Sequence, residues 1–253
     1  MAPPRRRLDR QLVQVGLAPD ATRARELIAE RRVLVDGSPG LQAGMLVAES
    51  SAVTVEATTR YVTRGGLKLD GALEDLGVAV GGRRCLDAGA GVGGFTDCLL
   101  QHGAASVTAV DVGYGDFDWR LRQDPRVTLF ERSNLRTMDA AALGEPFDLV
   151  VADLSFISLE AVAGQLVAAT ALGGALVLLV KPQFEAPRGD VGARGIVRDP
   201  AVQARAVERV VAALRHQGAE TLAEAPSRLT GTHGNQEFFV HARRRPPVDG
   251  GGA

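Results

Sequence analysis

Residues 83–100 read RRCLDAGAGVGGFTDCLL. A short apolar run ends at Asp87, four glycines follow (Gly89, Gly91, Gly93, Gly94), and an apolar stretch of helical spacing begins at Phe95. Glycines in such a turn let the chain reverse sharply and let a ligand approach the backbone, while the amino end of the next helix offers unpaired N–H groups. A strand, a glycine-rich turn and a helix in this order open a nucleotide-binding α/β unit. Nicotinamide, flavin and S-adenosylmethionine enzymes all use such a turn, so it does not by itself choose the cofactor.

The pattern continues on the carboxyl side. Apolar runs at 85–86, 107–110, 127–130, 147–152 and 175–180 alternate with helix-compatible segments, which predicts a parallel sheet covered by helices on both faces. Residues 202–214 are amphipathic, and 237–240 read as a last strand. Two aspartates favour S-adenosylmethionine. Asp87 ends the first strand where a methyltransferase meets the methionine end of the cofactor, and Asp111, in TAVDVGYG, ends the second strand where ribose hydroxyls bind. Asp111 alone would serve a nicotinamide dinucleotide equally well, and either carboxylate could instead cap a turn.

Two residues stand out by type. The chain has 29 basic side chains, all arginine except Lys68 and Lys181. An ammonium can lose its proton when buried or crowded by charge, whereas a guanidinium does not, so two lysines in an arginine-rich chain are candidates for proton chemistry. Lys181 ends the strand in LVLLVKPQFE, and Asp153 ends the preceding one in FDLVVADLSF. Ends of neighbouring parallel strands border the ligand crevice, so the two predict a buried Asp–Lys pair, which could also be a structural salt bridge.

The amino end differs in composition. Residues 1–35 carry eight arginines against four acids, giving +4 within a chain of net charge −1, so this part suits an anionic partner. Leu8, Leu12 and Val15 predict one helix with Arg6 and Arg10 turned outward. Asp20 predicts the cap of a second, with Ala24, Leu27 and Ile28 buried and Arg25 and Arg32 sharing a face. Strands are expected at 33–35, 45–47 and 53–55. The start has no apolar segment behind its arginines, so no secretory signal is expected and the location expected is cytoplasmic. Residues 166–180 are too few to span a bilayer and are divided by Gly173 and Gly174, which predicts a helix end followed by a buried strand. Cys85 and Cys98 lack metal-ligand spacing and the four histidines form no zinc pattern, so no metal is expected.

RLDRQLVQVGLAPDATRARELIAERRVLVDG (7–37) resembles the small RNA-binding domain of the ribosomal-protein-S-four type, the alpha-L motif, over residues 5–56. RGGLKL (64–69), DAGAGVGGFTD (87–97), VADLSFISL (151–159), LVKPQFE (179–185) and GNQEFFV (234–240) resemble the FtsJ-type ribose 2′-O-methyltransferases. With the amino-terminal domain, the whole resembles the TlyA family of rRNA 2′-O-methyltransferases, some of which are called hemolysins. The resemblance implies an α/β, Rossmann-like doubly wound methyltransferase domain at 59–245, a small α+β RNA-binding domain at 1–58 and a disordered tail at 246–253. It implies S-adenosylmethionine as cofactor, ribosomal RNA as partner, and RNA contacts through Arg6, Arg10, Arg25 and Arg32. It also implies a catalytic tetrad of Lys68, Asp153, Lys181 and Glu237, in which Lys181 is the general base. Gly89, Gly91, Gly93, Gly94, Phe95, Asp87 and Asp111 would line the cofactor, and Asn134 in ERSNLR would meet the adenine, unless it is only a turn residue. The glycine turn departs from the commoner family form in having Ala90-Gly91-Val92 where a Ser-Thr pair is usual.

Other acceptors fit less well. Adenine-amine enzymes carry a Pro-Pro pair where Leu154-Ser155 stands, and Cys98 lies in a helix rather than at the crevice a cytosine-carbon enzyme would need. The competing classes are a membrane-active cytolysin, for which no segment looks able to coat or span a bilayer, and a non-catalytic RNA-binding protein.

Overall fold

The computed structural model describes residues 4–29, 32–55, 60–192, 195–231 and 234–246. It divides into two compact units, Met1–Thr59 and Arg60–Ala253.

The first unit runs β1 (Arg5–Arg7), α1 (Leu8–Gln14), α2 (Ala21–Ala29), β2 (Val33–Val35), β3 (Ser38–Pro39), β4 (Leu46–Ala48) and β5 (Val53–Val55). Leu8, Leu12, Ala24, Leu27, Ile28, Val33 and Val47 close its core. Asp20 caps α2 by accepting from the Arg23 backbone N–H at 2.8 Å. Three expectations are corrected. Arg6 lies in β1, opposite Val47 of β4, because the antiparallel ladder to β4 holds residues 5–7 extended and the helix begins only at Leu8. Val15 follows α1 and is exposed, since the chain turns at Gly16. Arg32 does not share a helical face with Arg25, because α2 ends at Ala29 and the chain is already turning into β2.

The second unit runs α3 (Arg64–Asp75), β6 (Arg84–Ala88), α4 (Gly94–Gln101), β7 (Ser106–Val110), α5 (Trp119–Arg122), β8 (Val127–Phe130), β9 (Phe147–Ala152), α6 (Ala163–Ala169), β10 (Thr170–Val180), α7 (Pro182–Glu185), α8 (Pro200–His216), β11 (Ala219–Pro226) and β12 (Phe238–Arg244). Its sheet has the order β11-β12-β10-β9-β6-β7-β8. The five strands from β10 to β8 are parallel, as their near-continuous apolar runs predict. β12 runs antiparallel to both its neighbours, β10 and β11, so the sheet is mixed rather than all parallel. The two apolar clusters on the sheet contain Leu69, Phe95, Leu99 and Phe239 in one, and Leu86, Leu166, Val210 and Val240 in the other.

Two boundaries moved. Gly173 and Gly174 do not end a helix but lie inside β10, at the register shift where Thr170 and Ala175 pair with β9; the helix stops earlier, at Ala169. The last strand continues to Arg244, because β10 and β11 supply partners on both sides of it. Of the tail expected to be disordered, residues 247–253 lie outside the described residues. Among the described residues no helix is long and apolar enough to cross a membrane.

Candidate active site

β6 sits between β9 and β7, so the chain leaves the sheet centre in opposite directions on its two sides and opens a crevice at the strand carboxyl ends. The glycine turn lies there. Gly89, Gly91 and Gly93 all have positive φ, a conformation that costs an L side chain strain. A Cβ on Gly89 would come within 2.8 Å of the Asp153 carbonyl, and one on Gly93 within 2.5 Å of Leu121. The turn is tied to β7: the N–H groups of Gly89 and Ala90 donate to the Val110 carbonyl. Gly94 opens α4 against Thr63.

Asp111 is the hinge of this arrangement. Its carboxylate accepts from the Gly91 N–H at 2.8 Å and the Gly113 N–H at 2.6 Å, joining the glycine turn to the loop after β7. It lines a cleft of about 310 Å³ with Gly89, Ser133, Asn134, Leu154 and Phe156. Asn134 is exposed at the rim, and its Oδ1 closes a turn on the Arg136 N–H, so it is a turn residue that also lines the cleft. The Phe95 ring is buried in the core, stacked on Phe239 at 6.2 Å, and its edge borders Gly65 beside the Asp153 carboxylate.

Asp87 is fully buried. Its Oδ2 accepts from the Thr96 hydroxyl at 2.6 Å, while Oδ1 is buried without a partner among the described residues. Burial pushes its carboxyl up to about 7, with the Thr96 hydrogen bond opposing and the Asp153 and Asp111 charges adding. A raised carboxyl pKa penalises folding once the unfolded chain ionises. The penalty is absent below pH 4, grows between pH 4 and 7 and is constant above, at roughly 2–4 kcal/mol. Asp87→Asn should therefore raise the melting temperature at pH 8 and lose that advantage near pH 4. Equal gains at both pH values would show that the charge is not the cause.

The lysines form two ion pairs. Lys181 Nζ lies 2.6 Å from Asp153 Oδ1 and donates to the Ser155 hydroxyl at 2.9 Å. Lys68, on α3, meets Glu237 Oε2 at 2.5 Å. Lys181 and Glu237 are both buried. The β10–β12 register ends at Val180 opposite Phe238, so Lys181 and Glu237 leave adjacent strands side by side. A Cβ on Gly65, three residues before Lys68, would lie 3.8 Å from Asp153 Oδ2, so α3 begins beside the first pair. Gly231 packs on the Glu237 carboxylate where a Cβ would collide with it.

Several residues that shape the site were not singled out from the sequence. Ser155 binds Lys181 directly. Phe156 is almost fully exposed at φ +67° and leans on Phe184 at 5.5 Å between ring centres. Glu185 is buried and accepts from the Ser158 hydroxyl and, at 2.8 Å, from the Leu159 N–H, so it ties the end of the Asp153–Leu159 loop to the segment that starts at Lys181. A single acid after PQF carries no local sign of that long-range bond.

The FtsJ-like methyltransferase family matches residues 61–244, and the S4 domain matches residues 6–53. The chain belongs to the FtsJ-like methyltransferase family. The 16S/23S rRNA (cytidine-2′-O)-methyltransferase TlyA of Mycobacterium tuberculosis is 46% identical over 94% of this chain and 90% of its own length. Hemolysin A of Brachyspira hyodysenteriae is 33% identical over 93% of this chain and 98% of its own length. Among solved structures, a provisionally named hemolysin from Streptococcus thermophilus superposes with a TM-score of 0.74 at 35% identity, covering 96% of this chain and 90% of that one. The cofactor is S-adenosylmethionine, as the two aspartates suggested. The cleft fits it: the glycine turn leaves open space at Gly91, Asp111 stands at the cleft wall, and apolar Leu154 and Ile157 line the other side.

In the S4 domain, Arg10 and Arg25 are exposed and Arg6 pairs with Glu49 at 2.6 Å. Asp9, nearly buried, gathers Arg7 at 2.8 Å and Arg25 at 3.8 Å, so Arg7 joins the basic surface, though its strand position hid it from helical spacing.

Proposed function

We propose that this protein methylates ribose 2′-hydroxyls of ribosomal RNA, with Lys68, Asp153, Lys181 and Glu237 acting together. The observation that carries the reading is the placement of both lysines of the chain in ion pairs at the carboxyl ends of β9 and β10 and on the facing start of α3. A ribose hydroxyl is a poor nucleophile until its proton is removed. Bound S-adenosylmethionine supplies an electrophilic methyl. Lys181, once neutral, accepts the hydroxyl proton; Asp153 and Ser155 hold its nitrogen in place, and Lys68 and Glu237 hold the hydroxyl from the other side. The Mycobacterium tuberculosis relative, an rRNA cytidine-2′-O-methyltransferase by name, supports both the acceptor atom and the RNA class. The S4 domain supplies the RNA affinity, with Arg7, Arg10 and Arg25 among its exposed cations.

Mapping 2′-O-methyl groups on rRNA from cells with and without this protein tests the reading. A ribose methyl that disappears with the protein supports it; an unchanged map removes it. Cofactor binding gives a second check. A carboxylate that accepts ribose hydroxyls contributes roughly 1.5–3 kcal/mol per charged bond, so Asp111→Ala should weaken S-adenosylmethionine at least tenfold. Unchanged affinity by calorimetry would remove Asp111 from the cofactor site.

A further inference from the structure

Outside the catalytic cleft, one group of side chains has the composition of a metal site. Asp70 lies on α3, Cys98 on α4, and His102 at the residue that ends α4. One ligand atom from each, a carboxylate oxygen, the thiol sulfur and an imidazole nitrogen, lie within 4.8 Å of one another. His102 Nε2 is already 2.7 Å from Asp70 Oδ1. Cys98 and His102 are four apart, so one helix presents both toward the same neighbour; Asp70 arrives from a different segment, which is why linear spacing did not show the set. Tyr61 brings its hydroxyl against Asp70 and Cys98, and Arg60 pairs with Asp70 at 3.2 Å on the solvent side. Cys98 is fully buried, whereas Asp70 and His102 are about a quarter to a third exposed, at 26% and 31%, so an ion has a path in from the surface.

We propose that Asp70, Cys98 and His102 bind a zinc-class divalent ion that clips α3 to α4. The donor set is what selects the metal. Thiolate and imidazole favour zinc and its neighbours over magnesium or calcium, which want oxygen alone. A tetrahedral site needs neighbouring ligand atoms about 3.2–3.8 Å apart, so small rotations of the partly exposed Asp70 and His102 suffice. Water or the Tyr61 hydroxyl completes the fourth position. Ligation takes a thiolate and a neutral imidazole, so binding the ion releases protons. The clip joins the helix that carries Lys68 to the helix that follows the glycine turn.

The test uses the full-length protein and Co²⁺ as a spectroscopic probe. Stoichiometric Co²⁺ should give the visible bands of a four-coordinate ion together with a thiolate-to-cobalt charge-transfer band, and Zn²⁺ should displace it and raise the melting temperature. Cys98→Ser should abolish the charge-transfer band. His102→Ala, at a partly exposed position that tolerates truncation, should weaken binding at least 100-fold even if the buried cysteine variant fails to fold. No charge-transfer band in the wild type, or Co²⁺ affinity within threefold of wild type in His102→Ala, overturns the site.

Discussion

Lys181→Arg is expected to lower the rate of methyl transfer on the order of 100-fold or more while S-adenosylmethionine affinity changes little. Arginine preserves the charge and the approximate reach, and it can still pair with Asp153 and donate to Ser155. It cannot give up a proton at neutral pH, so it separates proton transfer from electrostatic pairing. If the Asp153–Lys181 contact were a structural salt bridge, the substitution would preserve most of it and activity would fall only modestly. Single-turnover transfer of labelled methyl to rRNA, beside a thermal melt, distinguishes the two. A rate within a few-fold of wild type would remove Lys181 as the base. The same assay on RNA with a 2′-deoxy nucleotide at the modified position should show no transfer there.

What could be read along the chain was what depends on near neighbours. The glycine turn, Asp111 and the ends of β9 and β10 were legible because a strand, its terminal residue and the following turn are contiguous. The lysines stood out because the rest of the chain uses arginine. Partners distant in sequence were not legible. α3 holds three glycines, which usually disfavour a helix. Thr63 caps its start by accepting from the Gly65 N–H at 3.2 Å, and Gly66 and Gly71 are needed where Tyr61 and Arg228 press against the helix. β11, Ala219–Pro226, has weak apolar alternation and exists as a strand because β12 supplies its ladder. Phe95 entered as a cofactor contact through the family resemblance, which carries no information on where its side chain points. Its ring packs in the core. Arg6 and Arg32 were misplaced for a related reason: charge shows that a residue is exposed, not whether its backbone is strand, helix or turn.

Removing residues 1–59 should leave S-adenosylmethionine binding nearly intact and abolish methylation of rRNA. The two cores share no residues: the amino-terminal cluster draws on residues 8–55, and the clusters of the methyltransferase unit begin at Tyr61. The cut must stop before Arg60, because Arg60 pairs with Asp70 and Tyr61 is buried in the methyltransferase core. All the residues that line the cofactor cleft, and both lysine pairs, lie in the part retained. What is lost is the S4 domain with its exposed Arg10 and Arg25. Each phosphate contact removed should flatten the dependence of RNA affinity on salt by about one unit of logarithmic slope. The measurements are cofactor calorimetry, RNA binding at several salt concentrations, and methyl transfer to rRNA. Full-rate methylation by the truncated protein would show that the methyltransferase domain recognises its RNA unaided. Loss of cofactor binding together with a lowered melting temperature would show instead that the two units do not fold independently.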